Sequence, residues 1–343
     1  MNGCAGGAVL KRQIPEQILD DGGHFERSPM YHCIILEDIL DMANLFQAYG
    51  REYPALWREK IAAMLGWLGA MVHPDGQIGL FNDAAFAIAA RPAELFAYAA
   101  RLGFGGLGLA GQAGGGLKWL QASGYIRRQS ETAVLLLDVG EIGPEYLPGH
   151  AHADTLSFEM SVFGKRVIVD SGTSCYGLSA ERLRQRGTAA HNTVTVDGED
   201  SSEVWSGFRV ARRARPFGLL VAEGERARVR CSHDGYRRLK GKVVHTRCWE
   251  MAEREVVITD SLAGEFAKAC GHLHFHPEVR VVEVGTGRFA AGLTGGEMVH
   301  IEVVGGVAEV VGSSYHPEFG VQVQNTCIRT HFDGKECVTR MRW

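Results

Sequence analysis

The chain has no apolar run approaching the roughly 20 residues that a membrane-crossing helix needs, so no membrane insertion is expected. Nor does it carry an excess of positive charge. Thirty-six Lys and Arg stand against forty Asp and Glu, a formal net charge of −4, and without a global positive field nucleic acid is not an expected ligand. The eight cysteines are scattered, with no CxxC pair and no dense framework, and read as reduced, buried or incidental thiols rather than a disulfide scaffold. The opening MNGCAGGAVLKRQIPEQ lacks the long apolar stretch and cleavage site of a secretory signal. The compartment, cytoplasm or cell envelope, stays open.

Two halves with different periods make up the 343 residues. From Glu16 to about Arg101 apolar residues recur at three- and four-residue steps, as in Ile34, Ile35, Leu36, Ile39, Leu40 and Ala43, which is the spacing of a helix face. Ser28 caps the first such helix and Pro29 takes its first position, where no N–H is needed, leaving Tyr31 and His32 in the first turn. Further helices are expected from about Pro54 to Leu68 and from about Pro92 to Arg101. Between them HPDGQIGLFNDAA is punctuated as a structured loop by Asp75, Gly76, Gly79 and Asn82. The glycine-rich stretch Gly103–Gly116 is expected to be a domain hinge. Beyond it short β-branched segments such as TAVLLLDVG, LSFEMSVF, KRVIVDSG and NTVTVDG alternate with glycine and Asx turns. Roughly ten strands with few helices imply an antiparallel β-sandwich or barrel.

The densest polar cluster is PGHAHADTLSFEM. In extended backbone its His150, His152 and Asp154 share one face. Asp170 in VIVDSG and His191 in TAAHNTVTVDG are further candidates, and two histidines with a carboxylate suit Zn²⁺ or a similar ion. If Gly164 and Lys165 form the hairpin turn, Asp170 lies opposite Glu159. A metal shared with His152 then requires the 150–154 segment to fold back as a loop. His272, His274 and His276 alternate along HLHFHPEV and are expected to lie on one face of a late strand.

These residues carry a resemblance. GHAHADTLSFEMSVFGKRVIVDSGTSCYG, RLRQRGTAAHNTVTVDGEDSSEVWSGFRVARRARP and HDGYRRLKGKVVH resemble the β-sandwich domain of the heparinase II/III family of polysaccharide lyases, and DGGHFERSPMYHCIILEDILD with HPDGQIGLFNDAA is similar to the end of that family's helical toroid. The resemblance implies an α+β multidomain chain, with partial (α/α) toroid helices over residues 1–102, the hinge at 103–116 and a large antiparallel β-sandwich over 117–343. It implies β-elimination on uronic-acid glycans such as heparan sulfate, heparin or alginate, which needs a base for the proton α to the carboxylate and an acid for the departing oxygen.

On matching positions the resemblance makes Tyr31 and His150 the catalytic pair. It makes His152, Asp170 and His191 the ligands of a structural divalent metal, zinc. His24, Glu26, Tyr176 and Arg186 are candidate substrate contacts, and Tyr176 is also a second proton-transfer candidate. An acidic polysaccharide is the expected partner, and a homodimer is allowed. The family's toroid is longer than three or four helices, so the chain is expected to be truncated at its N-terminus and its activity reduced. A non-catalytic carbohydrate-binding fragment is the alternative. A cupin-like metal enzyme is a third reading, although the six residues between His152 and Glu159 exceed the usual gap.

Overall fold

The computed structural model describes residues 5–105 and 115–343; most of the expected hinge lies outside them. Four helices come first: α1 (Ala5–Gln17), α2 (Pro29–Ala48), α3 (Ala55–Met71) and α4 (Pro92–Ala99), the last running on into a π turn at Ala100–Phe104. Helix α2 begins as its sequence requires. The Ser28 hydroxyl accepts the Tyr31 N–H at 3.2 Å and Pro29 opens the helix. Its apolar stripe of Met30, Cys33, Leu36, Leu40 and Ala43 packs with Trp57, Ile61, Met64, Leu65 and Leu68 of α3.

Nineteen strands follow among the described residues, about twice the number expected. The first sheet is a meander of β1 (Gly116–Leu120), β2 (Tyr125–Gln129), β3 (Ala133–Asp138), β4 (Phe158–Val162) and β5 (Lys165–Ile168). The chain continues through a short helix, α5 (Ala180–Arg186), and then β6 (Val194–Val196), β7 (Val204–Trp205), β8 (Arg209–Val210), β9 (Pro216–Ala222), β10 (Ala227–His233), β11 (Val244–Met251) and β12 (Glu255–Ala263). The remaining strands are β13 (Ala269–His274), β14 (Arg280–Gly285), β15 (Arg288–Gly292), β16 (Met298–Val304), β17 (Gly306–Tyr315), β18 (Val323–Phe332) and β19 (Glu336–Arg342). Eight of them form one sheet in the order β14-β15-β16-β19-β12-β11-β10-β9, and four form another in the order β17-β18-β13-β6. All the pairings within these sheets are antiparallel, so the expected α+β architecture with an antiparallel sandwich is borne out.

The run AVLLL that opens β3 is apolar because both of its faces are buried. Leu135 and Leu137 enter the sandwich core with Phe158, Val229, Trp249, Ile258 and Met341. Val134 and Leu136 face the other way, onto Trp67, Ala70 and Met71 of α3. The helices therefore form a third layer on the outside of the first sheet. The β4–β5 hairpin corrects the expected register. Val162 pairs with Lys165, so the turn residues are Phe163 and Gly164, both with positive φ, and a bulge follows at Met160/Ser161. Gly172 (φ 72°) lets the backbone run beside His316, whose carbonyl oxygen would lie 2.2 Å from an added Cβ. Seven cysteines, all but Cys4, are described and each is free.

His32 stacks on Trp67 with ring centroids 4.3 Å apart. Its Nδ1 accepts the His24 N–H at 3.3 Å, and its Nε2–H donates to the Met64 carbonyl at 3.1 Å. Burial drives its pKa down to about 3, against about 6.5 for an exposed histidine. Between those values the unfolded chain binds a proton that the folded chain refuses, so this contribution to stability is present above about pH 6.5 and is lost as the pH falls toward 3. Thermal unfolding followed between pH 7 and 4 will give a smaller drop in Tm for His32→Phe than for the wild type; equal drops would contradict the assignment.

Candidate active site

The site is assembled by a dipeptide in the loop after α3. Asn82, at φ 57°, adopts the left-handed conformation that asparagine tolerates better than most residues. Its N–H donates to Asp154 Oδ2 at 3.2 Å and its Oδ1 accepts the His152 N–H at 3.0 Å. The next residue, Asp83, donates its own N–H to the His150 carbonyl at 3.0 Å, and its carbonyl accepts the Ser28 hydroxyl at 2.6 Å. Ser28 is the cap that holds Tyr31. One loop residue therefore joins the start of α2 to the 150–154 segment.

The Asp83 carboxylate is fully buried. His150 Nδ1 lies 2.9 Å from its Oδ2 and His152 Nε2 lies 2.7 Å from its Oδ1. Arg182 of α5 grips both oxygens, Nη2 meeting Oδ2 at 2.6 Å and Nη1 meeting Oδ1. Burial alone would raise the Asp83 pKa, yet the bonds from His150, His152 and Arg182 hold it well below the carboxylate range. Asp83 is thus an anion, and each histidine donates to it. In its neutral form His150 would keep a lone pair on Nε2, 3.8 Å from Glu26 Oε2, and His152 keeps one on Nδ1.

Four aromatic rings close the cluster. Tyr31 and His150 have centroids 4.1 Å apart, and the Tyr31 hydroxyl is 3.0 Å from that of Tyr176. The Arg182 guanidinium lies over Tyr176 at 5.0 Å and over Phe208 at 5.4 Å. Phe208 in turn meets Tyr176 edge-on at 5.2 Å. Burial, with the Asp83 charge adding to it, raises the pKa of both tyrosines, so both are protonated phenols at neutral pH. Beside the rings a cavity of about 440 Å³ is lined by Tyr146, Leu147, Pro148, Leu178, Phe208 and Arg209 among others.

Not every expected residue reaches this cleft. HAHAD is a loop rather than a strand, so His150 and His152 meet opposite oxygens of one carboxylate instead of sharing a sheet face. Glu26 is beside His150, and burial raises its pKa. His24 is only 3% exposed, neither ring nitrogen has a hydrogen-bond partner, and burial, with His150 nearby, drives its pKa down to about 3. Arg186 is fully buried and donates to the backbone carbonyls of Ala151, Ser206 and Arg209, so it clamps the 150–154 loop.

The three expected metal ligands are all fully buried. His152 and His191 have ring centroids 5.3 Å apart, and His191 Nδ1–H donates to Asp170 Oδ2 at 2.6 Å. Among the described residues, the set of three ligand-type side chains whose donor atoms all fall within 4.8 Å is a different one, His272, His274 and Cys327. The cluster around His152 nevertheless contains three buried polar atoms with no hydrogen-bond partner, namely His152 Nδ1, His191 Nε2 and Asp154 Oδ1. With His191 deprotonated, against the raised pKa that Asp170 gives it, all three would present lone pairs, which are what a cation would relieve.

Residues 112–343 match the family model for the heparinase II/III-like C-terminal domain, and residues 4–99 match the heparinase II/III N-terminus. The chain belongs to the heparinase II/III-like family. A heparin-sulfate lyase of Bacteroides stercoris is 24% identical over 233 residues, 63% of this chain and 34% of that one. The FtsZ-localized protein C of Caulobacter vibrioides is 26% identical over 253 residues, 68% of this chain and 40% of that one. The solved heparan sulfate lyase of Pedobacter heparinus superimposes with a TM-score of 0.79 at 18% identity, covering 98% of this chain and 55% of that one, which makes the fold common to both. The chain thus spans between a third and just over half of the length of these relatives.

Asp83 and Arg182 carry the arrangement and neither was singled out by sequence. Asp83→Ala leaves Arg182 buried without its counter-ion and is expected to cost about 3–5 kcal/mol of unfolding free energy. Adding Arg182→Met recovers part of that loss in denaturant titrations; if the double variant is no more stable than the single one, the pair is not the clamp described.

Proposed function

We propose that the cleft between helices and sandwich performs β-elimination on a uronate-containing glycan of the heparan sulfate kind. The observation that carries this reading is the 4.1 Å approach of the Tyr31 and His150 rings, one supplied by the helical layer and the other by the loop leading into the sandwich. His150 gives its Nδ1–H to Asp83, so its Nε2 lone pair is available to take the proton α to the uronate carboxylate. The C–H electrons form a carbon–carbon double bond as the glycosidic C–O bond breaks, and the Tyr31 phenol protonates the departing oxygen. Tyr176, 3.0 Å from Tyr31, can return a proton to it. The apolar cavity beside the rings offers Tyr146 and Phe208 to sugar faces. The heparin-sulfate lyase of Bacteroides stercoris among the relatives favours a glycosaminoglycan over alginate.

A structural cation is the second part of this reading. His152 and His191, with a carboxylate from Asp154 or Asp170, would hold a divalent ion such as zinc, and the three unpartnered acceptors support it. Held there, such an ion would cross-link the 150–154 loop to the segment around His191 that leads into β6. Asp170, bonded to His191 Nδ1, would fix the tautomer that leaves Nε2 free.

The test is the ultraviolet absorbance of an unsaturated uronate when protein is mixed with heparan sulfate, with alginate as comparison. Heparan sulfate is expected to give product, and Tyr31→Phe and His150→Ala are each expected to lose more than about a hundredfold in rate. Unchanged rates in both variants would refute the site, whereas binding of the glycan without product from a folded chain would favour a non-catalytic carbohydrate-binding role.

A further inference from the structure

A second ligand set lies on the outer face of the four-stranded sheet. Along β13, Leu273 turns into the sandwich core while His272 and His274 lie on the opposite side. The antiparallel register with β18 sets Cys327 directly across from His274. This alternation and this pairing bring two imidazoles and a thiol together, with one ligand atom from each within 4.8 Å of the others. Cys327 Sγ is 4.0 Å from His274 Nε2, and the two imidazole planes are within 9° of parallel.

A polar patch on a sheet face needs no metal to exist, but the side-chain contacts of His272 and Cys327 are loose. The Cys327 sulfur lies 3.5 Å from the carbonyl of Ile328 and close to the Leu273 backbone, besides the His274 ring. His272 Nε2 is 3.4 Å from Thr195 Oγ1. His274 and Cys327 are nonetheless almost wholly buried, 3% and 2% exposed. The group opens on a cavity of about 520 Å³, the largest of those described, whose other walls include Arg184, Ser313, Gln322 and Gln324. Two nitrogens and a sulfur form a borderline-soft donor set, and with Zn–N near 2.0–2.1 Å and Zn–S near 2.3 Å a tetrahedral ion separates N from S by about 3.6 Å. The observed 4.0 Å needs only a few tenths of an ångström of movement.

We propose that His272, His274 and Cys327 form a zinc-binding centre, separate from the cluster around His152, whose fourth coordination position faces the cavity. His274 ligates through Nε2, which gives up its hydrogen bond to the Ala189 carbonyl, and its proton moves to Nδ1, where Ser313 Oγ lies at 3.2 Å to accept it. Cys327 releases its proton to solvent and binds as the thiolate. Neither step depends on the lyase reading.

Cobalt(II) is the probe that separates this centre from any other. Protein stripped with a chelator and titrated with Co²⁺ is expected to develop a thiolate-to-cobalt charge-transfer absorption, which zinc then removes. The His152 cluster contains no sulfur and cannot produce that band. Cys327→Ser, with its fold checked by circular dichroism, is expected to lose the band and one equivalent of bound zinc. His272→Ala, at a partly buried position, is expected to weaken zinc binding by about tenfold or more. Absence of the band from folded wild type at saturating cobalt, its persistence in Cys327→Ser, or unchanged zinc affinity in His272→Ala would each overturn the proposal.

Discussion

A single buried carboxylate holds the site together. Asp83 accepts from His150, His152 and Arg182, while its backbone ties to Ser28 and to the His150 carbonyl. A charge so deep in the protein is tolerable only with every lone pair engaged, and that requirement dictates where the loop, helix α5 and the start of α2 can sit. Tyr31 is placed through Ser28, His150 through direct contact, and Tyr176 through the guanidinium that lies over its ring. Removing the carboxylate would leave the aromatic cluster without a common anchor.

The layering explains why this anchor can be so exacting. The first sheet is buried on both faces, with the sandwich core on one side and α3 on the other. Helices and strands are therefore packed directly onto each other, and the cleft is framed by two rigid bodies. Arg186 secures the far side of the 150–154 loop through backbone carbonyls, and Asn82 secures the near side. What remains free at the cleft is chemically sparse: the outer nitrogen of His150, the phenols, Glu26, and an apolar wall.

Local chemistry was legible in the sequence and long-range chemistry was not. The start of α2 could be read from Ser-Pro because capping is decided within four residues. The resemblance brought Tyr31, His150 and Tyr176 forward, and the structure places these three side by side. Asp83, by contrast, sits in a loop that reads only as turn punctuation, and its partners His150, His152, Thr173 and Arg182 lie 67, 69, 90 and 99 residues further on; no window around it contains the pattern. The carbonyl contacts of Arg186 were hidden for the complementary reason, since an arginine that binds carbonyls looks the same in sequence as one that binds a substrate. The β4–β5 turn was placed one residue late because Phe163 adopts a positive φ that an aromatic residue seldom takes. Strand β10 was not read as a strand although ARVRCSH alternates, because its outward Arg228 and Arg230 obscure the apolar run.

The account stands on the carboxylate fixing the proton of His150 on one particular nitrogen. Nitrogen-15 NMR of the histidine rings, taken at a pH where His150 is neutral, reports this directly. The account predicts the Nδ1–H tautomer in the wild type, with Nε2 unprotonated, and loss of that preference in Asp83→Ala. A neutral His150 carrying its proton on Nε2 in the wild type would contradict it.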